Sequence, residues 1–512
     1  MKRNSRNTSS SGTPADAKRA RRLADLLISR LDASHCNFMA VETMAGALDD
    51  EGFTQLDPTD SWTLRPGGKY YVVQNDTAVF AFVAGMSRPS DAGFRIIAAH
   101  SDSPCFKLKP NPEIYGDGGV VSLNVEKYGG GIMYTWFDRP LSMAARLMVA
   151  SGNPMNPDKV IVDLEKPVAV IPHLAIHFNR SVNDGNPLSV QNDMKPVIGH
   201  FDEAEFRELQ GMGGVVKCMF ADAAGVAPED ILAMETVVYP VEKATLVGAH
   251  NEYIMSGRLD DLSMAFSALQ ALLDTSSEPT GATRVMAIFD NEETGSGTRQ
   301  GAAAPTLRNI LERIEYALDR TLTAIELRDE ERDGLRKQEY SAEEYIEPTR
   351  DILHFNPNCP EAFDDDLPAP ARIDYNPENF MRAIAGSFMI SADDAHAWHP
   401  NYNAKYDPTN HPVIGGGPVV KINANCKYMT DSRGDAIFRT LCERAGVGCQ
   451  YFVNHGDVAG GSTLGNILTS QIDIAGVDMG CAIWAMHSAC ETAGIDDHIA
   501  TINVFSEFFR LS

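Results

Sequence analysis

The sequence predicts an α/β protein: a mixed, largely parallel sheet covered by helices and interrupted by a smaller β-rich unit. Three observations lead there. Strand-like and helix-like patterns alternate over most of the chain. Between about residues 103 and 246 the texture changes to short alternating segments separated by glycine-rich turns. Three separate apolar runs end in clusters of His, Asp and Glu. The 512 residues suffice for a large core and two domains. The expected division is a tail over 1–15, a main domain from 16–102 and 247–512, and an inserted unit over 103–246.

Taken in order, the first fifteen residues are basic and rich in Ser and Asn. They lack the apolar centre of a secretory signal and read as a disordered tail, with a transit peptide as the alternative. From Asp16 to Leu31 the leucines at 23, 26, 27 and 31 recur at helical steps. "YYVVQNDTAVFAFVAG" and "GFRIIAAH" are dense in β-branched and aromatic residues, as strands are. In the inserted unit, "YGDGG" and "YGGG" mark turns around segments such as "VIVDLEKPVAVI". "RLDDLSMAFSALQALLDT" then places Leu262, Phe266, Leu269 and Leu273 on one helical face. Residues 327–380 form an acidic, proline-bearing interruption, expected as a solvated helix and surface loop, with a lid as the functional alternative.

The formal net charge of −26 argues against nucleic acid, which wants a basic face. No apolar stretch approaches the roughly 20 residues that cross a bilayer. Nine cysteines without a C-x-x-C pair fit reduced thiols and a cytoplasmic location.

The chemistry lies in the endings of the apolar runs. "RIIAAHSDSP" ends in His100 and Asp102, "RVMAIFDNEE" in Glu292 and Glu293, and "FMISADDAHAWHPN" in Asp393, Asp394 and His396. Ligand crevices of open α/β sheets lie at the carboxyl ends of strands. Asp102, two residues past His100, is placed to accept the second ring N–H of a metal-bound imidazole. "GRLDD" offers Asp260 at a helix mouth, as a cap or a ligand, and "WAMHSACE" offers His487. His100, Asp260, Glu293, Asp393 and His487 form a nitrogen-and-oxygen set that suits zinc, with manganese or cobalt able to substitute. Five ligands are too many for one tetrahedral zinc and right for two ions sharing a carboxylate. Glu292 is then free to act as general base.

These motifs, with "RPLSMAARLMV", "LAIHFNR", "GPVVKINANCKY" and "FDNEETGSGTRQGA", resemble the aspartyl aminopeptidases, co-catalytic zinc exopeptidases, from about Ala24 to the C-terminus. The resemblance implies a metallopeptidase domain interrupted by a dimerisation domain, within a dodecamer. It implies that Asp260 bridges two zinc ions, with His100 and Asp393 on one and Glu293 and His487 on the other. Glu292 matches the proton-shuttling glutamate. Lys421 and Tyr428 match positions that recognise the acidic side chain of the substrate's first residue. His177 matches a histidine that reaches a neighbouring subunit's site, with His173 close by. By alternation alone, Lys421, Asn423 and Asn425 would face outward from a surface strand. The expected substrates are peptides with an N-terminal Asp or Glu. The alternatives are a dinuclear zinc aminopeptidase preferring neutral first residues, and an inactive self-assembling scaffold, which would be expected to lack ligands or base.

Overall fold

A computed structural model describes residues 14–339 and 371–512. Residues 1–13 of the expected tail, and most of the acidic interruption with its lid reading, lie outside the described residues, while Pro14 and Ala15 already open the helix Pro14–Asp32. Nine strands form the central sheet, in the order Thr54–Gln55, Lys69–Gln74, Ala78–Val83, Thr283–Phe289, Phe94–His100, Phe388–Ala392, Ala475–Gly480, Val419–Lys421 and Gln450–Phe452. The four in the middle, from Thr283–Phe289 to Ala475–Gly480, run parallel to one another. Their near-continuous apolar sequences follow from burial on both faces. One face packs on Leu262, Phe266, Leu269, Phe505 and Phe508, the other on Leu307, Leu311, Ile314 and Leu318.

Register places the three motif endings side by side. Phe289 stands opposite His100, and Ser391 opposite Ala98. The residues that follow, Asp290 to Glu293 and Asp393 to Asp394, therefore leave the sheet at the same edge as His100. Sequence separation of nearly 300 residues is cancelled by strand pairing.

The helix Leu259–Thr275 departs from the expected one-sided pattern, because it is buried almost all round. It lies between the sheet and the helix Ile495–Phe509. Its polar residues find partners inside: Ser263 donates to Asp394 (2.7 Å), Ser267 to the Ser263 carbonyl (2.8 Å), and Thr275 to the Ala271 carbonyl (2.8 Å). Buried hydroxyls satisfied in this way need no solvent face.

A second, six-stranded antiparallel sheet is built from Cys105–Tyr115, Val120–Tyr128, Leu141–Val149, Asp158–Asp163, Val197–His200 and Ile231–Pro240. It has its own core around Phe106, Leu123, Leu147, Phe220 and Val238. Arg146 ties it to the main body, donating to the Asn75 carbonyl (2.6 Å) and Asp76 (3.0 Å) while its guanidinium covers Phe38. A third sheet of five short strands includes Ala482–Trp484 and Glu491–Gly494, whose connection carries His487.

Candidate metal centre

His100 ends its strand with its side chain 1% exposed, and Asp260 opens the buried helix at 3%. Asp260 has non-helical backbone angles, and the helix has no side-chain cap. Its carboxylate therefore makes no cap, and it lies among the other acids and histidines of the cluster. His100 Nε2 lies 3.6 Å from Asp260 Oδ1, and His487 Nε2 lies 3.2 Å from Asp260 Oδ2. His487 Nε2 is also 3.3 Å from Glu293 Oε1. Donor atoms of His100, Asp260, Asp261 and Asp393 converge within 4.8 Å of one another, and so do those of Asp260, Glu293 and His487. Asp260 belongs to both groups.

These residues fit divalent metal. Among the described residues, Asp260 Oδ1, Asp261 Oδ1 and Glu293 Oε1 are buried oxygens with no hydrogen-bond partner. Unpaired buried carboxylates are costly unless a cation compensates them. Burial, reinforced by neighbouring carboxylates, pushes Glu293, Asp261, Asp394 and Glu491 well above the usual range and Glu292 up to about 8. Burial also opposes charge on Asp260, yet His100 and His487 hold its carboxyl below the ordinary value. Imidazole nitrogen with carboxylate oxygen is the donor set that zinc takes.

The second ring nitrogens are held as metal-binding histidines require. His100 Nδ1 lies 3.0 Å from the Asp102 carbonyl and 3.3 Å from its carboxylate. The Gly130 backbone lies against the His487 ring on its Nδ1 side. Asp102 accepts from the amides of Glu292 (3.1 Å) and Glu293 (3.2 Å), so one carboxylate orients His100 and the two glutamates together. Glu292 itself is half-buried beside the cluster.

Lys421 is 4% exposed, contrary to its outward reading, because its strand lies within the sheet between Ala475–Gly480 and Gln450–Phe452. Its ammonium is 3.2 Å from Asp393 and 5.9 Å from the centre of the Tyr428 ring. Asp478, fully buried, accepts from the Met429 amide (2.5 Å) and the Thr463 hydroxyl (2.6 Å), fixing the backbone beside Tyr428. His177 is not brought to this cluster by contacts within the chain: it is exposed in an irregular segment of the inserted unit. His173, near it, packs edge-on against Phe137. His396 is exposed at the sheet edge, its ring against Phe452.

The model of the family described as aminopeptidase I zinc metalloprotease (M18) matches residues 30–330 and 371–509. The chain belongs to this M18 family. It is a zinc metalloaminopeptidase, a hydrolase. A curated relative from Clostridium novyi (strain NT), named probable M18 family aminopeptidase 2, is 37% identical over 490 residues, covering 96% of this chain and 99% of the relative. A solved chain described as the Ape4 and Nbr1 complex superposes with a TM-score of 0.82 at 30% identity, covering 96% of this chain and 86% of that one. A chain of the S. cerevisiae mApe1 dodecamer shares the fold, with a TM-score of 0.74 at 24% identity, covering 95% and 96%.

Several residues of this M18 site escape a reading of the sequence. Asp261 accepts from the His100 amide (3.0 Å). Glu491 accepts from the amides of Asp260 (3.1 Å) and His487 (2.6 Å), joining two segments of the cluster. Tyr128 donates to Asp102 (2.6 Å) and accepts from Asn291 (2.9 Å). A side chain on Gly129 would meet the Glu293 Cβ at 3.1 Å, and one on Gly130 the His487 ring at 3.3 Å. "YGGG" therefore packs against Glu293 and His487 as well as turning the chain. Its signal is a tyrosine followed by three glycines, more than a turn needs.

Among the described residues no helix is long and apolar enough to cross a membrane.

Proposed function

We propose that this M18 enzyme removes N-terminal Asp or Glu from peptides, using two zinc ions per chain. The reading is carried by one observation: a fully buried ammonium, Lys421, beside the ligand Asp393 and the hydroxyl-bearing Tyr428. Beyond its ion pair with Asp393, a cation in that position suits a substrate that brings an anion. A neutral first residue would leave it without a substrate partner, at the cost of a lost charged hydrogen bond.

His100, Asp393 and Asp260 would hold one zinc, and Glu293, His487 and Asp260 the other. The convergence of donors in two groups that share Asp260 supports this division. What zinc supplies in such a site is polarisation of the scissile carbonyl and activation of water at neutral pH. Glu292 takes the proton from water and returns it to the leaving amine. Asp102 positions Glu292 through its amide and His100 through its ring. Manganese or cobalt is expected to replace zinc without changing these roles.

His177 would complete the site of a neighbouring copy, in a homo-oligomer built from dimers up to a dodecamer. The residues around it support burial by a second chain: Leu174 is 56% exposed, Ile176 51% and Phe178 82%. Hydrolysis of a panel of aminoacyl reporter amides by the zinc-loaded protein tests the substrate assignment. Preference for Asp- and Glu-amides is expected, and preference for Leu-amides would overturn it. Mixed assemblies of Glu292→Gln and His177→Ala chains test sharing, since intact residues from two copies should restore part of the activity.

A further inference from the structure

Cys442 lies in the last turn of the helix Ser432–Ala445, and Cys449 immediately precedes the edge strand Gln450–Phe452. Between them the chain reverses over Gly446, which takes a left-handed conformation with φ 69°. The reversal is fixed by hydrogen bonds from Gly446 N to the Glu443 carbonyl (3.1 Å) and from Val447 N to the Cys442 carbonyl (3.0 Å). It brings the two cysteines to the same end of the core, where Cys449 packs against the cluster that contains Cys442. Cys449 Sγ also lies 3.9 Å from the Gln450 carbonyl.

The two thiols differ in access. Cys442 is 1% exposed and belongs to the core under the sheet, whereas Cys449 is only partly buried. The contact with Cys442 draws the Cys449 thiol below its ordinary pKa, against the opposing effect of burial. Reactive cysteines combine access with thiolate character, and redox-responsive ones stand beside a second thiol.

We propose that Cys449 and Cys442 form a dithiol modification site, in which a peroxide oxidises Cys449 and Cys442 then closes a disulfide. In the first step the Cys449 thiolate attacks one peroxide oxygen. A sulfur–oxygen bond forms, the oxygen–oxygen bond breaks, and hydroxide leaves with the electron pair. In the second step the Cys442 sulfur gives up its proton and attacks the Cys449 sulfur. The sulfur–sulfur bond forms, the sulfur–oxygen bond breaks, and water departs. The peroxide is reduced to two waters and the dithiol is oxidised by two electrons. The bridge covalently joins the helix Ser432–Ala445 to the edge strand, and a dithiol reductant reverses it.

The test uses the full-length protein, reduced, freed of reductant and exposed to a small molar excess of hydrogen peroxide. Free thiols are then alkylated and the chain is cut with trypsin. Arg444 lies between the two cysteines, so cleavage there leaves them on separate peptides that only a disulfide holds together. The expected result is one linked species containing both peptides, loss of two alkylatable thiols, and release by dithiothreitol. Cys426, exposed on a loop, serves as the comparison thiol and stays unlinked. In Cys442→Ser, Cys449 should accumulate as a sulfenic acid that dimedone captures. In Cys449→Ser, Cys442 should remain alkylatable. The proposal is overturned if both thiols stay fully alkylatable in oxidised wild-type protein, or if Cys449 links to a different cysteine.

Discussion

The two groups of candidate donors share Asp260 but sit in different surroundings. His100, Asp260, Asp261 and Asp393 are all buried, on a strand end, a helix start and the first residue past a second strand. Glu293 stands on the single 3-10 turn Glu292–Thr294 and His487 on a loop, with His487 31% exposed and left-handed (φ 68°), and with Asn291 before Glu292 left-handed as well (φ 61°). Regular structure places the first group. The second depends on props that reach it from elsewhere: Gly130 against His487, Glu491 on its amide, and Asp102 on the amides of the two glutamates. A site can thus be rigid by inheritance from the sheet on one side and by hydrogen bonding on the other.

The shared carboxylate gives the largest expected effect. Asp260→Ala should lower metal content in both groups, and activity should fall by more than the ~10²–10⁴-fold that general acid–base catalysis supplies alone. Elemental analysis showing loss of only one equivalent would break the idea of a common carboxylate.

Next comes the pair inside "NEE". Glu292→Gln should cut kcat by about 10²–10⁴-fold with metal content kept, since only a proton acceptor is removed. Glu293→Gln should instead release metal from the more open group. Reversed behaviour in metal analysis and steady-state kinetics would exchange the roles of the two glutamates.

A smaller effect is expected at Lys421. Lys421→Met should reduce kcat/KM for Asp-amides by about 10- to 100-fold, the ~1.5–3 kcal/mol typical of a hydrogen bond to a charged group. Ala-amides should change little. An equal loss on both substrates would assign Lys421 to the support of Asp393, its partner at 3.2 Å.

The mildest change probes the props directly. Tyr128→Phe removes the hydrogen bond to Asp102 and keeps the ring under Lys107. Metal affinity should weaken by about tenfold, the lower end for groups that orient a ligand. Titration with a chelator should show the loss first in the group of Glu293 and His487, where the histidine is 31% exposed. Simultaneous loss from both groups would erase the difference between them.

Much of this is legible in the order of the amino acids. The apolar runs leading to His100, Asp290 and Asp393 are fully buried strands apart from Arg95, and acids directly after such runs have few structural uses. The pattern is local, so it survives in one dimension. Asp261 is harder to read, because an Asp pair at a helix mouth looks like capping, and only the path of the backbone turns one carboxylate toward His100. Alternation misplaces Lys421, because it assumes one wet face, whereas the strand is paired on both edges and buried.

By itself, then, the sequence determined the class of fold, the strand ends that carry chemistry, and a donor set of nitrogen and oxygen suited to zinc. Tertiary structure alone decided which acids converge, that Asp260 stands between two groups, and that Tyr128, Gly130 and Glu491 support them. The reason is physical. Periodicity and burial pattern are set by neighbours a few residues apart. The contact of Gly130 with His487 joins positions far apart in the chain, and exists only after the two sheets have packed against each other.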